Sequence, residues 1–182
     1  QILSNTSSHL APASYFDERI AAVRQAPDMS ETAETFLSNW FPASLVAANE
    51  PVVEDFRAML LAIDRQGLAG LFAAVRDADL RRTVALIPRP TLVIAGRHDT
   101  VTAASHSELI AATVPGAKLV VLPAVHLSNI EYPAEFIQAV IDFCAEPSAA
   151  TAKASGTSPA VAERSKDAAV HKGGRQPEPA SM

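Results

Sequence analysis

Cysteine is nearly absent. Cys144 stands alone in 182 residues, which excludes an internal disulfide and fits a reducing compartment. Long apolar runs are missing too, and no stretch reaches the roughly 20 residues that cross a bilayer as a helix. No signal peptide is visible. Cationic excess is lacking: 15 Lys and Arg face 20 Asp and Glu, the formal charge is -5, and no basic block breaks the mixture. That balance argues against general nucleic-acid binding, which needs a basic face. Together these absences predict a cytoplasmic protein that binds neither nucleic acid nor a membrane. The 48% apolar fraction, by contrast, is enough for a packed core.

The chain changes style twice. Residues 1–6 read as a strand end entering a loop. From Pro12 to Ile87 the pattern is helical, with Phe56, Met59, Leu60 and Ile63 spaced as one face of an amphipathic helix. Leu68, Leu71, Phe72 and Val75 form another stripe, and Asp79 can cap a short helix through Leu86. After Pro88 the signal becomes strand, helix, strand, helix: Thr91–Ala95, Ala103–Val114, Lys118–Leu122, then Pro133 through Cys144. Continuous apolar strands suit a parallel sheet covered on both faces, joined by a right-handed crossover. Cys144 falls in that last apolar helix and reads as a small buried side chain. Residues 147–182 turn to Ala, Ser, Pro, Lys and Gly and read as a disordered tail or linker. The division expected is therefore 1–146, with a helical lid over about 9–87, and a separate 147–182.

Two segments carry chemistry. Pro90-Thr91-Leu92-Val93-Ile94-Ala95-Gly96-Arg97-His98-Asp99 ends an apolar strand on an acid. Val120-Val121-Leu122-Pro123-Ala124-Val125-His126 ends the next on a base. In open parallel sheets, ligands bind just outside the carboxyl ends of the strands, where Asp99 and His126 both fall. Asp99 can accept from one ring nitrogen of His126 and so leave the other free to take a proton from a nucleophile. Acid before base is the chain order of an α/β-hydrolase triad, whose serine comes earlier on a Gly-x-Ser-x-Gly elbow. No such elbow occurs in these 182 residues. Ser4 lacks flanking glycines, Ser105 and Ser107 fall on a predicted helix, and Ser128 follows the base itself.

The sequence resembles the 3-oxoadipate enol-lactonases. The resemblance rests on Ile2-Leu3-Ser4-Asn5-Thr6, Arg19-Ile20-Ala21-Ala22-Val23, the Pro90–Asp99 segment and His126-Leu127-Ser128-Asn129-Ile130-Glu131-Tyr132-Pro133. It covers residues 1 to about 145. It implies a partial α/β-hydrolase fold with the helical block as an inserted lid, Asp99 as triad acid and His126 as triad base. It implies hydrolysis of an enol-lactone in the β-ketoadipate route of aromatic catabolism, with no cofactor, because both acyl-transfer steps use protein groups. Phe16 stands where relatives tend to carry an aromatic facing the pocket. Since the elbow and the oxyanion donors are missing from the sequence, the chain is expected to be the later portion of such an enzyme and inactive alone.

The remaining candidates have two readings each. Arg19 could pair with a substrate carboxylate or be a surface Arg on an amphipathic helix. Trp40 follows a helical stripe, which suggests core packing, with substrate contact as the alternative. His9, His98 and His106 lack metal-ligand spacing, so no metal is expected. Glu131 reads as a loop charge. The rival functions are another α/β-hydrolase (an esterase, a C–C hydrolase or an epoxide hydrolase) and a non-catalytic fragment or interaction module. Oligomeric state is not legible.

Overall fold

The computed structural model describes residues 1–10 and 12–146. The tail expected over 147–182 lies outside the described residues. Three parallel strands form the sheet: β1 (Ile2–Ser4), β2 (Leu92–Gly96) and β3 (Lys118–Leu122), in that order. Leu3 pairs with Val93, and Val93 with Leu119, so the three carboxyl ends lie side by side.

β2 is central and buried throughout, as its unbroken apolar run requires. Its side chains alternate between faces with the two-residue period of a strand. Leu92 and Ile94 pack with Leu122 against Phe136, Val140 and Phe143 of one covering helix. Val93 faces the other way, against Ile110 and Val114. The covering helices are α8 (Pro133–Ala145) and α6 (Ala104–Thr113), numbered here in chain order. Between β2 and β3 the chain crosses over through α6, and a one-turn helix, α7 (Ser128–Glu131), precedes α8.

Among the described residues, five α-helices separate β1 from β2: α1 (Ala13–Gln25), α2 (Ser30–Trp40), α3 (Ala43–Ala47), α4 (Pro51–Leu61) and α5 (Arg65–Asp77). Pro51 opens α4, where its missing N–H costs nothing. Asp64 caps α5 by accepting from the Gly67 N–H at 2.7 Å. α1 lies along α5, and Val23, Met29 and Leu68 fill the space beneath. A second core among these helices gathers Ala33, Leu37, Phe41, Val53 and Leu60, with Leu127 and Ile130 of the far segment packed against it.

Four local expectations differ from the structure. The helix expected from Asp79 is a turn followed by a 3-10 helix over Val84–Leu86, because Asp79 instead bridges to His9 and accepts from Arg81. Met59 and Leu71 are exposed although they fall on the apolar stripes, since Leu60 and Leu68 already fill the lid cores from neighbouring positions. Cys144 is exposed. Phe136, Ala139, Val140 and Phe143 take the sheet-facing stripe of α8 and turn Cys144 to the next face.

Candidate active site

Asp99 and His126 meet beyond the carboxyl ends of β2 and β3. His126 Nδ1 lies 2.9 Å from Asp99 Oδ2. The carboxylate only accepts, so Nδ1 carries the proton and Nε2 is left as the free ring nitrogen. The Asp99 side chain is fully buried, while that of His126 retains 17% exposure. The pair thus joins a sealed carboxylate to a partly accessible ring.

Asp99 is heavily held. Its Oδ1 accepts from the backbone N–H groups of Val101 at 2.8 Å and Thr102 at 2.9 Å. Its Oδ2 accepts from the Thr102 hydroxyl at 2.9 Å and from the Asn5 amide at 3.1 Å, besides His126. Burial pushes the carboxyl up, and it is the largest single influence. The hydrogen bonds from His126, Thr102 and Asn5, with the attraction of a charged imidazole, outweigh it and hold Asp99 well below the usual carboxylate range.

Gly96 makes the close approach possible. A Cβ there would lie 2.2 Å from the Val125 carbonyl oxygen and 2.7 Å from that of Ala124. The base-bearing loop therefore rests directly on the end of β2, with Arg97 and His98 donating backbone hydrogen bonds to Leu122 and Ala124. From the other side, Glu131 Oε2 accepts from the Val125 N–H at 2.8 Å. Glu131 is thus a support of the base loop rather than a bare loop charge.

A cavity of about 430 Å³ opens among α1, α2 and α5, lined by Phe16, Arg19, Glu31, Phe36, Trp40 and by Thr100–Val101 of the loop after β2, among others. The Trp40 indole stacks near His126, with ring centroids 6.3 Å apart and planes 26° apart. Through Trp40 and the acid loop the cavity adjoins the acid–base pair. Phe16, Arg19 and Trp40 all line this one space. Phe16 is otherwise buried against Phe72, and Trp40 also packs on Phe36 and Phe56, so core packing and cavity lining are the same position for both. Arg19 lies over the Tyr15 ring at 5.1 Å and forms no ion pair among the described residues. His98 is exposed on its loop. His106 donates through Nδ1 to Ser7 Oγ at 2.7 Å, and the Ser7 hydroxyl is given to the His9 carbonyl.

No family model matches the chain. It is 30% identical over 139 residues to 3-oxoadipate enol-lactonase 2 of Acinetobacter baylyi, covering 76% of this chain and 52% of that protein. Among solved structures it is similar to a hydrolase from Pseudomonas aeruginosa PA01, at 66% identity and a TM-score of 0.78, over 80% of this chain and 55% of the other. The enol-lactonase from Burkholderia xenovorans LB400 matches at 31% identity and a TM-score of 0.75, over the same shares. The chain has an α/β-hydrolase fold and is similar to enol-lactonases over the part it shares with them. It spans about half the length of the curated enol-lactonases it matches. Within this α/β-hydrolase frame, the described residues contain three parallel strands, the Asp99–His126 contact and five α-helices between β1 and β2.

Sequence reasoning missed Asn5, Thr102 and Glu131 as parts of the site. The Asp99-x-x-Thr102 spacing is a legible signal, since an Asp side chain readily accepts from backbone N–H groups two and three residues on. Asn5 and Glu131 had no comparable local mark.

Proposed function

We propose that this chain supplies the acid, the base and the lid of a serine hydrolase acting on a small enol-lactone that carries a carboxylate. The observation that carries the reading is the 2.9 Å contact between His126 Nδ1 and the buried Asp99, set beside a cavity lined by Arg19, which forms no ion pair among the described residues. In this reading the nucleophilic serine and the oxyanion donors stand on a segment outside these 182 residues, which hold no Gly-x-Ser-x-Gly.

The serine hydroxyl attacks the lactone carbonyl while His126 Nε2 takes its proton. Asp99 keeps the ring in the required tautomer and stabilises the imidazolium. Collapse of the tetrahedral intermediate breaks the ring C–O bond, and His126 returns the proton to the departing enol oxygen. Water, deprotonated by the same nitrogen, then releases the acyl group and regenerates the serine. No step calls for a cofactor. Arg19 is suited to a carboxylate through a bidentate pair, and the aromatic walls bury the rest of the ring.

The test is an in-frame fusion of an enol-lactonase's elbow-bearing half ahead of Gln1, assayed on 3-oxoadipate enol-lactone and on simple esters. The chain by itself should match buffer. The fusion should hydrolyse the enol-lactone, lose several orders of magnitude with His126→Ala, and raise KM with little change in kcat with Arg19→Ala. A folded fusion active on esters but not on the enol-lactone would keep the triad and discard the substrate.

A further inference from the structure

We infer that Asn5 is a positioning residue for the Asp99–His126 pair, its one amide tying together the ends of all three strands. The inference rests on the hydrolase reading for what that pair does, but its geometry is separate. Asn5 directly follows β1 and donates its backbone N–H to Ile94 of β2 at 2.9 Å. Its side-chain nitrogen has two hydrogens and two acceptors: Asp99 Oδ2 at 3.1 Å and the Val125 carbonyl at 3.3 Å, the residue before the base. Its amide oxygen accepts from the Ser4 hydroxyl at 2.9 Å. This fixes the orientation, because a flipped amide would aim its oxygen at two other oxygens.

The backbone is shaped for the task. Asn5 has φ of +43°, a left-handed conformation that Asn tolerates better than most residues. The space its amide occupies exists because Gly96 has no side chain; a Cβ there would also press on Asn5 Nδ2, at 3.1 Å. The acid oxygen that holds His126 is therefore itself held, by Asn5 on one side and the Thr102 hydroxyl on another. Without the amide, Oδ2 keeps only the Thr102 hydroxyl and His126 as partners, and the Val125 carbonyl loses its tie to the end of β1. His126 would then keep its neighbours but not its aim.

The test uses the full chain and proton NMR. The Nδ1–H of His126, held on a buried carboxylate, should give a protected downfield resonance that disappears in His126→Gln. Two variants probe Asn5. Asn5→Gly suits the left-handed backbone and removes only the amide. Asn5→Asp keeps shape and backbone preference but sets an acceptor against Asp99 and Val125. Both should retain the native circular dichroism and a cooperative melt yet lose the downfield line to fast exchange. A merely structural role would lower the melting temperature and leave the line in place. Persistence of the resonance in folded Asn5→Gly overturns the inference, as does failure of both variants to fold, which would make Asn5 a structural residue. Absence of the line in the unmutated chain overturns the hydrolase reading first, and this inference with it.

Discussion

The Trp40 indole and the His126 imidazole stack with centroids 6.3 Å and planes 26° apart, so α2 forms one wall of the imidazole's surroundings. Trp40 also meets Phe36 at 4.8 Å and Phe56 edge-on at 6.2 Å. Trp40→Ala should destabilise the chain by about 2–3 kcal/mol, below the ~3–5 kcal/mol of a fully buried Trp because this one is only half-buried. Trp40→Phe should recover most of the loss. Urea unfolding of the three proteins checks both values, and an unchanged midpoint in Trp40→Ala would refute the packing account.

Acid should remove a contribution that Asp99 makes at neutrality. Its folded-state carboxyl is depressed, so the native fold favours the charged form. That stability is fully present above the unfolded carboxylate value of about 3.9 and is lost as the pH falls from there through the depressed folded value. Asp99→Asn should be less stable at neutral pH, and its deficit against the unmutated chain should shrink below about pH 4. Urea melts through the acid range measure the gap. A gap that stays constant with pH would mean that the fold does not favour the charged carboxyl.

Gly96→Ala should be among the most damaging single-methyl additions available. The new Cβ meets two backbone carbonyl oxygens at 2.2 and 2.7 Å, and backbone cannot swing aside like a side chain. A loss of about 3 kcal/mol or more is expected, at the upper end of overpacking effects. Chemical denaturation would show it, together with displaced amide resonances for Ala124, Val125 and His126.

Glu131→Ala leaves the Val125 N–H without its carboxylate acceptor. Hydrogen bonds to charged groups contribute about 1.5–3 kcal/mol, so the Val125 amide should exchange with solvent at least about tenfold faster. Glu131→Gln keeps an acceptor oxygen and should restore much of the protection. Residue-resolved hydrogen exchange distinguishes the two outcomes, and equal protection in Glu131→Ala would show that the contact does not hold the loop.

The parts of the site legible in the sequence were those whose role is set by neighbours along the chain. Leu92–Ala95 and Val120–Leu122 are apolar strands, so the loops that follow them had to present Asp99 and His126 at one end of the sheet. Asn5 was different. Its partners stand 94 and 120 residues away, and only the register Ser4 to Ile94 brings them within reach. Glu131 was misread for the same reason: its partner depends on how the loop before α7 folds back. The exposed Met59, Leu71 and Cys144 show the limit of periodicity, which finds an apolar stripe but not which of its members face the core.

Leu127 and Ile130 pack into the same apolar cluster as Leu37 and Leu60 of the lid. The residues just after the base thus share one core with helices that lie some 70 to 90 positions earlier. For anyone exchanging lids between relatives to change substrate choice, this sets the boundary of the cassette. A transplant ending at the Pro88 junction would bring new lid side chains against an unmatched 127 and 130, and the base would drift with them. The exchangeable unit is discontinuous: the helical block together with the turn that follows His126.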